Sequence, residues 1–155
     1  NLFWVSIWGV RKMKPYKFLE DEATADIAFE ASALNVASLF ESCALALEEI
    51  MVDLKSVRSV NEKIIKLKER SYADLLLKFL EELVFIKDTE NLLFSKFSVS
   101  IKKKGNLLFL EAICSGEEIN RERHKLKIDI KAITYHHFKL THSNGFWKAK
   151  VLVDI

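Results

Sequence analysis

The chain has little of what breaks a fold into pieces. Pro15 is its only proline, and its 155 residues include four glycines. Linkers and domain boundaries draw on both residue types, so no boundary is read after Met13, and the length suits one domain. An excess of one charge is also missing. Lys and Arg number 24 against 22 Asp and Glu, a formal net charge of +2. That balance gives no ground for nucleic-acid binding on charge alone, so any such contact needs a local patch. The two cysteines, Cys43 and Cys114, are too far apart in sequence for a metal signature or a disulfide framework. They read as buried, reduced thiols of an intracellular protein. No G-x-S-x-G elbow, Gly-rich phosphate loop, dinucleotide fingerprint or H-x-x-x-H pair occurs. The residues therefore give no positive sign of an enzyme.

Long apolar runs are absent too. The opening "NLFWVSIWGV" is too short to span a bilayer. A signal peptide carries its charge before the apolar stretch, whereas "RKMK" follows it here. The chain starts with Asn, and Met13 opens a natural-looking start, "MKPYKFLE". Residues 1–12 are thus read as a mis-called start or an appended remnant, and 13–155 as one domain. Without residues 1–12, nothing directs the chain out of the cytoplasm.

Half the residues are hydrophobic, enough for a sizeable core, and their spacing predicts the elements. Short strands are expected at Tyr16–Leu19 and Ile27–Ala31. Asn35 reads as an N-cap. Val36, Leu39, Phe40, Cys43, Leu47, Ile50 and Met51 then form one helical stripe, with Glu41, Glu48 and Glu49 off it. A strand with edge-like lysines is expected over Ser59–Glu69. Ser71–Asp74 matches a capping box, opening a second helix that ends near Lys87, before "DTEN". "FSKFSVSIK" alternates as a strand, "KKKGN" turns, and "LLFLEAIC" returns. "GEEINRERHK" reads as a polar connection and "KIDIKAITYHHFKL" as one long strand. "SNG" marks a hairpin before "FWKAKVLVDI". The expected fold is α+β: a two-layer domain with a mostly antiparallel (mixed) sheet packed against two main helices.

Candidate chemistry is sparse. Asp26 follows an acidic run at the mouth of a strand, and Asp154 lies one residue from the terminal carboxylate of Ile155. If the first and last strands are neighbours, the three converge, and like charges so placed need a cation or a proton. On residue chemistry alone, solvated strand ends are the simpler reading. Alternation puts His136 and His137 on opposite strand faces, unsuited to sharing a metal. "KKKG" reads as a solvated hairpin tip. Phe94, Phe97 and Phe109 fall at core spacing and are not read as base-stacking platforms.

The pieces "FLEDEATADIAFEA", "LFESCALALEEIMVD", "DLLLKFLEELVFIKDTENLLFSKF", "ERHKLKIDIKAITYHHFKL" and "WKAKVLVDI" occur in order from about Tyr16 to Ile155. Together they resemble the archease family. The family's common Asp-His-Thr-Ala-Asp opening is altered: Glu22-Ala23 stands where the histidine would be, with one extra residue, while the Asp26 position is kept. The resemblance implies a non-enzymatic accessory protein that assists an RtcB-type tRNA-splicing RNA ligase in guanylylation and multiple turnover. It implies a chaperone-like character and a calcium (or similar divalent) site at Asp26, Asp154 and Ile155. Arg123, His124, Lys131, Tyr135 and His136 match its most recognisable segment. They stand either as a partner-binding face, favoured for Lys131, or as a hydrogen-bonded brace, favoured for Tyr135. The alternatives in function are a general chaperone of nucleic-acid-processing proteins and a small RNA-binding module. Contact with tRNA-processing proteins or tRNA would then be indirect, with no membrane partner.

Overall fold

The computed structural model describes residues 4–7, 10–13, 15–19 and 26–155. The acidic loop 20–25 lies outside the described residues. A hairpin of β1 (Trp4–Ile7) and β2 (Val10–Met13) comes first. It is followed by β3 (Tyr16–Leu19), β4 (Asp26–Ala33), α1 (Val36–Met51), β5 (Asn61–Glu69), α2 (Tyr72–Glu90), β6 (Leu92–Lys104), β7 (Leu107–Glu118), β8 (Ala132–Ser143) and β9 (Phe146–Asp154). The α+β class holds, and all described strand pairings are antiparallel. Beyond the first hairpin the strands divide into two sheets, ordered β3-β4-β9-β8 and β5-β7-β6. α1 packs on β3, β4 and β9 of one sheet and on β6 of the other. α2 likewise contacts β5, β6 and β7 on one side and β8 on the other. Among the described residues no helix is long and apolar enough to cross a membrane.

The predicted helix starts hold. Asn35 Oδ1 accepts from the Ser38 N–H at 2.8 Å, and Ser71 Oγ from the Asp74 N–H at 3.1 Å. α2 outruns its expected end by three residues, to Glu90, where Asn91 closes it in the left-handed region at φ 55°. The "SNG" turn carries positive φ at Asn144 and Gly145, which suits a tight hairpin.

A helix between two sheets has little solvent face, and α1 shows the consequence. From Leu39 onward its expected stripe is buried, and so are Ala44, Ala46 and Glu48, while Val36 is half-buried. The three glutamates off the stripe all meet strands. Glu49 Oε1 accepts from the Tyr16 hydroxyl at 2.7 Å, Glu41 Oε2 from the Val99 N–H at 2.8 Å, and Glu48 Oε1 from the Phe94 N–H at 3.1 Å. Val99 and Phe94 belong to β6, the edge of its sheet, so α1 lies along that edge and satisfies donors that would otherwise template another strand. Cys43 and Cys114 are buried free thiols, and burial pushes both up, Cys114 to about 12.

Two strand expectations change. β7 runs on to Glu118, through the first three residues of the expected connection. β8 begins only at Ala132, because residues 127–131 travel outside the sheet, held by Lys127 N–H to Met51 O at 2.8 Å and Ile128 N–H to Ile50 O at 3.2 Å.

Candidate functional site

The acidic pair sits where the first sheet is zipped from both chain ends. Along β4 and β9, Phe29, Ala31, Ala149, Val151 and Val153 point into the core. Burying that set fixes the register, since a one-residue slip would turn all of it outward. The register then places Asp26 directly opposite Asp154. Opposed residues of an antiparallel pair share a face at a Cα separation of about 4.5–5.5 Å. Both aspartates are half-buried, as is Ile155. It is β4, the strand that opens at Asp26, that lies beside the last strand β9, and like charges face each other across the pair, an arrangement that disfavours pairing unless compensated.

The far side of Asp154 is also built. Ala132 pairs with it on β8, and the Lys131 N–H donates to its carbonyl at 2.8 Å. This strand entry is anchored by α2. Buried Lys87 reaches Asp129 Oδ1 at 2.6 Å, Asp88 Oδ1 at 2.5 Å and the Ile130 carbonyl at 2.9 Å, and Ile130 is fully buried. Two half-buried carboxylates on one face suit a hard divalent cation. Among the described residues, no group of three His, Cys, Asp or Glu side chains gathers around one point. Glu20, Asp21 and Glu22, next to Asp26 in sequence, lie outside the described residues.

The residues expected as one interaction face are dispersed. His124 is buried, so it offers no surface to a partner. Its Nε2 lies 2.9 Å from Glu117 Oε2, and its Nδ1 accepts from the Asn120 N–H at 2.8 Å. That pattern assigns the Nε2–H tautomer. Arg123 holds Glu117 Oε1 at 2.5 Å and the Ser56 carbonyl at 3.1 Å, while the Arg58 N–H donates to Glu117 Oε2 at 2.7 Å. The brace under the 116–125 loop is therefore Arg123 and His124 around Glu117. Tyr135, 73% exposed, takes no such part. Glu117 itself was not singled out from sequence, since "GEEI" distinguishes neither glutamate.

Lys131 and His136 are exposed, and His136 belongs to a bulge. Residues 135–138 stand opposite Val151 alone, and His137 adopts φ 61°. Alternation fails there. The His136 and His137 rings lie with centroids 3.9 Å apart instead of on opposite faces.

The Arg123 guanidinium, with lesser help from the Arg58 N–H and His124, holds Glu117 far below the usual carboxylate range, at about 2. A depressed carboxylate stabilises the fold above its ordinary value of 4.5 and loses that contribution as pH falls toward 2. Glu117→Ala is expected to cost about 2–4 kcal/mol at neutral pH, because it strands Arg123 and the Arg58 N–H. It should also flatten the stability loss between pH 4.5 and 2, measured by urea unfolding across that range.

The model of the archease protein family (MTH1598/TM1083) matches residues 16–155. Protein archease of Methanothermobacter thermautotrophicus is 37% identical over 143 residues, 92% of this chain and 100% of that protein. Protein archease of Methanosarcina mazei is 35% identical, covering 92% and 97% respectively. The solution structure of Methanobacterium thermoautotrophicum protein 1598 superposes with a TM-score of 0.82 at 36% identity, covering 92% of this chain and all of that one. The crystal structure of a Thermotoga maritima archease, described as a possible chaperone, gives 0.59 at 24% identity, covering 88% and 96%, and bears on the fold alone. A family match over nearly the whole chain, relatives of this identity and one shared fold establish that the chain belongs to the archease family.

Proposed function

We propose that this archease is a cytoplasmic accessory protein of an RtcB-type tRNA-splicing RNA ligase, promoting its guanylylation and repeated turnover without catalysing a reaction itself. We further propose that Asp26, Asp154 and Ile155 hold calcium or a similar divalent ion. The observation that supports the site most directly is the Asp26–Asp154 register pair on one face of the sheet. When bound, the ion would neutralise the facing carboxylates and keep positions open for partner oxygens, since calcium takes about six to eight oxygen ligands. Asp26 and Asp154 supply the carboxylates. The Lys131 N–H and the Lys87–Asp129 contact hold the neighbouring backbone in place.

The test combines binding and activity. Calcium should raise the Tm of the wild-type chain and leave that of Asp154→Ala unmoved. Asp26→Ala and Asp154→Ala should each weaken calcium binding by at least the ~10- to 100-fold that loss of an outer-shell partner costs. Both should lose stimulation of multiple-turnover ligation. Full stimulation by either variant rejects the site's role in activation. Normal stimulation with a lowered Tm assigns the ion to pinning the strand ends.

The chaperone reading draws on the resemblance to the archease family. It requires suppression of aggregation in unrelated clients at the stoichiometry that stimulates the ligase.

A further inference from the structure

The outer face of the β5-β7-β6 sheet is basic, and it carries an aromatic ring that the sequence pattern had assigned to the core. Leu108 and Leu110 point inward, so Phe109 points out and is 37% exposed. The pairing places Lys68 of β5 and Lys102 of β6 directly opposite Phe109, one on either side. Lys104 sits over the ring at 5.8 Å from its centroid. The next row is Lys66, Glu111 and Ser100, and the row beyond is Ile64, Ile113 and Ser98. Lys66, Lys68, Ser100, Lys102, Lys104, Phe109 and Glu111 line a cleft of about 460 Å³. Four lysines face one carboxylate there, in a chain whose total charge is only +2. Among the described residues Glu111 forms an ion pair with Lys66 alone, at 3.9 Å, with both side chains largely exposed, a contact worth little.

We propose that this face binds single-stranded RNA, with a base stacked on Phe109 and flanking phosphates on Lys68, Lys102 and Lys104. Lysines two apart on a strand repeat every ~6.7 Å along one face, a track for a phosphate backbone. An exposed ring between such tracks is the stacking platform that sheet-based single-strand binders use. An acidic peptide would engage the lysines and gain nothing from the ring, whereas every base has a π-face. The Ser98 and Ser100 hydroxyls on the same face suit a 2′-hydroxyl, which separates RNA from DNA. The proposal is independent of the aspartate site, which belongs to the other sheet.

The experiment is fluorescence anisotropy of a labelled 12-nucleotide oligouridylate with the full chain, across a salt series. Binding should weaken steeply with salt. Lys68→Ala with Lys102→Ala should reduce the log–log salt slope by about 1.4. Phe109→Ala should cost about tenfold in affinity with the slope unchanged. All three positions are exposed, and circular dichroism checks that the variants fold. No binding, or binding indifferent to both sets of changes, overturns the proposal. Equal binding of the DNA 12-mer overturns its RNA assignment. Polyglutamate displacing the oligonucleotide from wild type and Phe109→Ala alike assigns the face to acidic protein instead.

Discussion

Raising the pH from about 5 to 8 is expected to lower the unfolding free energy by about 1.4 kcal/mol per pH unit through one residue. Glu48 is fully buried in α1, and burial pushes its carboxyl up to about 8, against smaller opposing effects of the Phe94 N–H and Lys87. Among the described residues its Oε2 has no hydrogen-bond partner. In the unfolded chain Glu48 loses its proton near 4.5, while the folded chain keeps it until about 8. Between those values the native state binds one more proton, so stability falls as pH rises. Below 4.5 both states are protonated and the contribution is complete. Above 8 both are ionised and it is lost. Glu48→Gln keeps an acceptor for the Phe94 N–H and removes the charge. It should match wild type near pH 5 and exceed it at pH 8, with Glu48's share of the slope gone. Urea unfolding of both proteins at pH 5, 6.5 and 8 decides this, and parallel pH profiles would refute the assignment. With Glu117 acting in the opposite direction below 4.5, the two groups together place a stability maximum near pH 5.

Gly116→Ala should be the most damaging conservative change in the β5-β7-β6 sheet. Gly116 pairs with Phe94 just before the β6 bulge, where the register slips between Phe94 and Lys96. A Cβ there would run into the Leu93 carbonyl oxygen and stand 2.7 Å from Phe94 Cα. Those atoms are backbone, so only a separation of β6 from β7 relieves the clash. That separation also draws the Phe94 N–H off Glu48. The expected cost is about 4 kcal/mol or more, in the range reserved for a specific structural failure. Ser115→Ala, its neighbour on the opposite face, should stay within about 0.5 kcal/mol. Gly116→Ala and Glu48→Gln act on one bulge and should be non-additive in a double-mutant cycle. A Gly116→Ala midpoint close to wild type would show that the bulge yields freely.

The elements that were legible in the sequence share a local cause. α1 starts and ends where its stripe and Asn35 place it, and α2 starts where Ser71 and Asp74 place it, because capping and periodicity act within a few residues. Period-two alternation marked most strands for the same reason. It misled where the chain departs from a regular ladder, at the 135–138 bulge and in residues 127–131. Phe109 shows a different limit. Its alternation with Leu108 and Leu110 was visible, but which face met the core depended on where the helices lie.

The candidate site divides the same way. Asp26, Asp154 and Ile155 were named from their places near the chain's two ends and from family likeness. Their opposition waited on the β4–β9 register, which the burial of Phe29, Val151 and Val153 settles. The roles of Glu41, Glu48 and Glu49 were hidden, since a glutamate off an apolar stripe looks the same whether solvent or a second sheet lies beyond it. The sequence by itself determined the class, the helices, most strands and the family, all carried by short-range spacing or ordered motifs. Only the tertiary structure decided that two sheets enclose the helices, which acids are buried, and which lysines share a face with Phe109. Those outcomes depend on pairings between residues dozens of positions apart, and no local pattern encodes them.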